Sequence, residues 1–363
     1  MNPMTNRGLY ALFLVICIIL PGISLVSADT QGSERLVSDA LGRELTIPAE
    51  ITGVVSTAPP TTMTLYLIAP DLMLGWNSEL TPLQKKYIPE QYQSIPVVGG
   101  WFGKTDGNFE TFIRLNPDII FEGRTITGDP VDVKAVEERQ TQFGAIPLVT
   151  IQDTANISGY AKSISLIGDI LNRKEKSEAL IAYYQTALKT VKDAVSTIPD
   201  GEKIMVYYAE GPDGLATDPS GSQHAMLIDY CGGKNVADTT ITPGYGMTPV
   251  SLEQVLSWNP EVIIAGDSKF ASSVLTDPLW KDVLAVQSGR VYGVPVSPFS
   301  WFDRPPGTNQ IPGLYWMLHT LYPEKFTADQ LKEKIYEFYS SFYGIELSDS
   351  QLDGLLLDVP VYE

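Results

Sequence analysis

The chain has 363 residues, 44% of them hydrophobic, with 25 Lys+Arg against 43 Asp+Glu, two His and two Cys. A charged fraction of 19% with 10% aromatics excludes a disordered chain, and the length allows two or three domains with their own cores. A net charge of −18 excludes nucleic acid and anionic lipid as partners, since both need clustered Lys and Arg. Two Cys cannot build a disulfide framework or a thiolate zinc site, and two His leave no imidazole cage for a naked metal ion.

Residues 1–28 read as an export address. Arg7 precedes the apolar run Leu9–Leu20, then Pro21-Gly22 and the small-residue pattern Val26-Ser27-Ala28. Twelve apolar residues suit a signal segment and fall short of a span of about 20. The segment is either cleaved before Asp29 or kept as an anchor, because Ile23–Val26 extends it. Bulky Ile16 before Cys17 argues against a lipoprotein. The mature chain then holds one thiol, Cys231, and lies in the periplasm or at the cell surface.

Leu36–Pro48 reads as a β-hairpin, turning at Asp39–Gly42. Ile51–Ser56 reads as a strand, and Thr61 and Thr62 as caps of the helix that follows. Alternating strands and helices continue to Leu148–Ile151, which predicts an α/β lobe with a mainly parallel sheet over 36–154. Between 155 and 198 the apolar residues fall at helical spacing, and no Gly or Pro interrupts Asp169–Ile198. That predicts one long, rigid inter-lobe helix. A second α/β lobe follows over 199–345, with strands at Lys203–Tyr208, Val262–Ala265 and Arg290–Val294. Residues 346–363 read as an acidic C-terminal tail.

One internal echo joins these parts. Residues 109–123 read FETFIRLNPDIIFEG and residues 252–266 read LEQVLSWNPEVIIAG, with five of fifteen positions identical. In each copy an amphipathic helix stops at Asn-Pro and an apolar strand ends at Gly. The fold class expected is α/β: two Rossmann-like lobes with central, mainly parallel sheets, joined by one long rigid α-helix.

These residues resemble the class III solute-binding proteins of ABC importers, the siderophore and cobalamin type. The resemblance rests on the opening VSDALGRELTIP (37–48), the helix-Asn-Pro-strand unit of each lobe, GGKNVAD (232–238) and DPLWKDVLAVQSGRVYGVP (277–295). The stretch SWFDRPPGTNQIPGLYW (300–316) resembles a narrower subgroup of iron-, nickel- or molybdate-binding proteins. The family implies a monomer that captures a metal chelate, without a cofactor of its own, and passes it to a permease. It also implies that Glu110 and Glu253, matched in the two repeats, dock onto basic permease residues. Taken singly, a Glu in a first helical turn merely complements the helix dipole.

The ligand cleft is expected between the lobes, at the carboxyl ends of the strands. Its candidates are Trp76, Asn77, Trp101 and Phe102 from the first lobe, with Tyr208, Glu210, Trp301, Asp303 and Arg304 from the second. Aromatic rings would supply flat walls, and Arg304, oriented by Asp303, would clamp an anion. His224 could ligate a metal but reads as a lone exposed imidazole, His319 as structural and Cys231 as buried and inert. Asn156-Ile157-Ser158 matches a glycosylation sequon. The alternatives are a molybdate or tungstate oxyanion as ligand, an exported sensor, or an exported enzyme. Against the enzyme stand the lack of a G-x-S-x-G or HExxH motif and of any nucleophile–His pairing.

Overall fold

The computed structural model describes residues 33–126, 129–152, 157–242 and 246–357. The export segment 1–28 and Asn156 of the sequon lie outside the described residues. Strands β1 (Glu34–Ser38) and β2 (Glu44–Pro48) form the expected antiparallel hairpin. Buried Asp39 holds its turn through Arg43 at 2.6 Å, and Arg43 also donates to the carbonyl of Leu148 at 2.8 Å. The hairpin is thereby fastened to the first lobe.

That lobe is a parallel sheet in the order β3 (Val54–Ser56), β4 (Ile119–Arg124), β5 (Leu148–Gln152). Helices α1 (Pro59–Ile68), α2 (Phe109–Arg114) and α3 (Pro130–Phe143) connect and flank its strands. Thr61 and Thr62 do not cap α1, which begins at Pro59 behind Ala58; both are buried inside it. Thr62 instead donates its hydroxyl proton to Asn77 Oδ1 at 2.6 Å.

The expected long helix is present, but it starts at Lys174 and not at Asp169. α4 (Tyr160–Ile170) and α5 (Lys174–Val195) are separated at Leu171–Arg173, where Asn172 takes a φ of 54°. Asn enters the left-handed region at little steric cost, so it breaks a helix without Gly or Pro. α5 alone is 22 residues, about 33 Å.

The second lobe is a parallel sheet, β11-β10-β6-β8, built from β6 (Met205–Ala209), β8 (Lys234–Asn235), β10 (Val262–Ala265) and β11 (Val291–Gly293). A small antiparallel pair, β7 (Ala216–Thr217) with β9 (Thr248–Pro249), sits beside it. Helix α6 (Leu252–Trp258) leads into β10 as α2 leads into β4. The repeat has one local mechanism: Asn108 and Ser251 cap the two helices, and Asn116 and Asn259 end them at φ 50° and 44°. Proline follows each asparagine and forbids another helical turn.

Helices α7 (Gln310–Leu321), α8 (Ala328–Phe338) and α9 (Asp349–Leu357) close the molecule. The expected tail is thus partly a helix, whose Leu352 and Leu355 are buried in the main core. That core is continuous from Val54 and Leu67 through Tyr184 and Tyr315 to Leu227 and Ile264. Polar contacts cross with it: Thr64 to Thr308 at 3.0 Å, Gln84 to the carbonyl of Pro298 at 2.9 Å, and Tyr160 to Gln310. Separating the sheets would break this shared core, which limits lobe motion.

Gly313 fixes the approach of α7 to the 299–304 loop. A Cβ there would stand 1.8 Å from the backbone oxygen of Trp301. Gly313→Ala is therefore expected to destabilise the protein by at least about 1–3 kcal/mol, read as a lowered melting temperature. An unchanged melt would contradict this packing.

Candidate ligand-binding cleft

A cavity of about 210 Å³ lies between the sheets. The first lobe lines it with Met63 of α1 and with Thr81, Leu83 and Gln84; the second contributes Tyr208, Val294, Phe299, Ser300, Asp303 and Arg304. A larger surface hollow of about 470 Å³ lies around Thr197, Arg290 and Tyr322. It contains none of the buried charges described next.

Behind the second-lobe wall sits a cluster of charged groups. β6 leads to Glu210, Asp218 follows β7, and Asp303 and Arg304 come from the loop before α7. The Arg304 guanidinium donates to Glu210 Oε1 at 2.8 Å and to Asp218 Oδ2 at 2.8 Å, and its Nε lies 3.3 Å from Asp303 Oδ2. All three carboxylates are buried. Ser222 donates to Asp218 at 2.8 Å, His224 Nδ1 lies 2.7 Å from Asp303 Oδ1, and Tyr208 donates to Asp303 at 3.5 Å. Arg304 adopts a φ of 61°, a left-handed conformation that a long side chain takes only when its surroundings impose it.

The electrostatics follow from this packing. Burial pushes the Glu210 carboxyl up to about 8; Arg304 opposes the rise, and the hydrogen bond and charge of Asp218 reinforce it. Below that value Glu210 is uncharged. Burial alone would lower His224, but the bond and charge of Asp303, with Asp218 behind it, raise it above its ordinary value. With both protons in place, the formal charges of Asp218 and Asp303 balance those of Arg304 and His224. Burial raises Tyr208 as well, so its hydroxyl stays a donor.

The sequence candidates divide accordingly. Tyr208, Asp303 and Arg304 line the cleft, with Glu210 directly behind Arg304. Arg304 is no free anion clamp, because three carboxylates already hold it. Trp301 is fully buried against Tyr339, and Trp76 packs on Tyr66 and Phe299 while its indole donates to the carbonyl of Tyr92. Both belong to the core, so neither forms a flat cleft wall. Asn77 is a buried clamp whose amide donates to the carbonyls of Ser56 and Gly99. Trp101 joins a separate first-lobe cluster with Phe109, Phe112 and Phe143, under the Arg139 guanidinium at 4.6 Å. Phe102 is partly exposed beside it.

His224 is not the lone exposed imidazole expected, being partly buried on Asp303. His319 is structural, its Nδ1 donating to the carbonyl of Phe326, and Cys231 is buried with its thiol pushed up by burial. Glu110 and Glu253 stand exposed in the first turns of α2 and α6. Sequence reasoning missed Asp218 and the Met63 and Gln84 wall. Asp218 has only the turn-like Asp-Pro-Ser-Gly around it, a signal shared with any surface loop.

Two parallel-sheeted lobes, a continuous helical core and a cleft between them define a solute-binding protein of limited lobe closure. The chain belongs to the periplasmic binding protein family, whose profile matches residues 54–297. It is of the class III kind and serves an ABC importer. It is 26% identical over 349 residues to the molybdate-binding protein MolA of Haemophilus influenzae, covering 91% of this chain and 95% of that one. An ABC transporter solute binding protein from Sulfurospirillum deleyianum superposes with a TM-score of 0.81 at 30% identity, covering 88% and 98%. Helicobacter pylori CeuE with Ni(II) bound shares the fold at a TM-score of 0.66 and 17% identity, covering 89% and 100%.

Arg304→Ala leaves three buried carboxylates facing one another, and breaking a buried ion pair this way costs about 3–5 kcal/mol. The variant is expected to melt well below the parent, with Arg304→Lys failing to restore a three-way contact; an unaltered melt would contradict the network. In the first lobe, burial pushes Glu122 above the usual carboxylate range, against the pull of Arg139 and Arg124. The folded state then holds that proton more tightly, so its contribution to stability is greatest in acid and is lost as pH rises through the raised value. Glu122→Gln removes this titration. Its melting temperature should therefore gain on the parent's from about pH 4 to about pH 8, and a constant gap would contradict the assignment.

Proposed function

We propose that the protein is the exported receptor of an ABC importer whose cargo is a compact metal chelate held in the inter-lobe cleft. The observation that carries this is the cleft itself: about 210 Å³, walled by both lobes, with a buried charged cluster along one side. Pockets for drug-sized ligands run from about 300 to 1,000 Å³. The dimensions therefore support a small chelate over haem, a corrinoid or a bulky siderophore. Placing Trp76 and Trp301 in the core removes the flat walls that a macrocycle would need. Binding, not catalysis, is the role these features support.

A second reading, a tetrahedral oxyanion, has one specific support. The molybdate-binding relative aligns along nearly the whole chain, and the cleft's size admits such an ion. Against it stands Arg304, whose charge is already opposed by Glu210, Asp218 and Asp303. Glu110 and Glu253 support delivery, as one exposed carboxylate per lobe on matched helices of a rigid body. The export segment supports a periplasmic or cell-surface location. No described helix is long and apolar enough to cross a membrane.

A thermal-shift panel of nickel, cobalt and ferric chelates of small carboxylates and amino acids, with haem, corrinoids, molybdate and tungstate, tests the cargo. At a hundred times its dissociation constant a ligand adds about 2.7 kcal/mol of stability. The expected result is a shift with one compact chelate class. A shift with haem or corrinoids would contradict the volume argument, and a shift with oxyanions alone would establish the second reading. Glu110→Lys with Glu253→Lys should abolish uptake without changing affinity; lost affinity would move these residues into the site.

A further inference from the structure

We infer that Asp218, His224 and Asp303 form a binding site for a divalent transition-metal ion on the second-lobe side of the cleft. One imidazole nitrogen of His224 and one carboxylate oxygen each from Asp218 and Asp303 lie within 4.8 Å of one another. Bonds to a first-row ion are about 2.0–2.2 Å, so two of its ligands stand at most about 4.4 Å apart. That limit is for ligands on opposite sides; a tetrahedral ion holds its ligands about 3.5 Å apart, so the most widely spaced pair would draw in by up to about 1.3 Å, within reach of side-chain rotation. One imidazole with two carboxylates suits nickel, cobalt, zinc or ferrous iron over calcium or magnesium, which take oxygen alone.

Two further observations point to a cation. Glu210 is 3% exposed, and its Oε2 is buried without a donor. Its other oxygen shares Arg304 Nη2 with Asp218 Oδ2, which sets the orphaned atom beside the cluster. Three buried carboxylates also crowd around the single Arg304 guanidinium, a surplus of acceptor oxygens that a bound cation would relieve. Arg304 and Ser222 do not exhaust the carboxylates, because each oxygen has two lone pairs. His224 Nδ1 already stands 2.7 Å from Asp303 Oδ1, so the imidazole and one carboxylate start side by side, as two neighbouring ligands of one ion do.

Asp303 also lines the cleft, so the site meets the cargo there. On the compact-chelate reading, which this inference deepens, the protein itself completes the coordination of the cargo's metal. The chelate bound is then one with open positions, not one that saturates its ion.

The test is titration of the purified chain with Co²⁺ alone, followed by calorimetry and by the paramagnetically shifted imidazole signal in NMR. Expected is one ion per chain, with the shifted signal lost in His224→Ala and in His224→Gln. Asp218→Asn should weaken binding at least tenfold. Circular dichroism of each variant separates loss of the site from loss of the fold. Co²⁺ affinity unchanged in both His224 variants, or no binding at millimolar ion, would overturn the site. A nickel chelate that stabilises the parent and His224→Gln equally would overturn the metal contact while leaving cargo capture intact. Co²⁺ bound through His224 with no chelate stabilising the chain would uphold the site and refute the compact-chelate reading.

Discussion

The buried Arg304 guanidinium, shared among Glu210, Asp218 and Asp303, is the interaction around which the second-lobe wall is arranged. A guanidinium is always charged and presents its donors in a fixed fork, so it can serve three carboxylates at once. The geometry requires a left-handed backbone at Arg304, and Asn309, whose amide donates to the carbonyls of Ser300 and Pro305, holds the loop in that shape. Tyr208 and His224 are then ordered through Asp303. Such a cluster is a poor source of net stability, because desolvating each charge offsets much of the attraction. Its worth lies in fixing where charge stands at the cleft.

The same wall is held by apolar packing from behind. Trp76, Tyr66, Phe299 and Tyr343 form one aromatic group that runs from the first lobe under the cleft to the closing helices. Thr64 and Thr308 bond across it. A binding protein of this build begins with its cleft nearly formed, so little of the binding energy is lost in ordering it. Selectivity then falls to size and to charge placement.

Much of the fold was legible because its signals are local. The Asn-Pro stops at 116–117 and 259–260 act within one helical turn, and each marked a helix-to-strand passage correctly. The hairpin at 36–48 was equally plain. The break at Asn172 was not, since asparagine in a helical pattern is ordinary until its φ is known. The site was harder. Trp76 and Trp301 carry the same sequence signal as Trp101, an aromatic after an apolar run or beside prolines, and only tertiary packing separates core from cleft. Arg304 was found as a residue but not in its state, because its partners lie 86 and 94 positions away. His224 was passed over for the same reason: Asp303, 79 positions on, supplies what the sequence could not display.

The claim at the centre is that cargo is held by both lobes at once, over the Arg304 cluster. Hydrogen–deuterium exchange of the chain, with and without a chelate that binds it, tests this most directly. The account predicts slowed exchange both around Met63–Gln84 in the first lobe and in the 296–304 loop of the second. Slowed exchange in one lobe alone, or around Thr197 and Tyr322 instead, would contradict it.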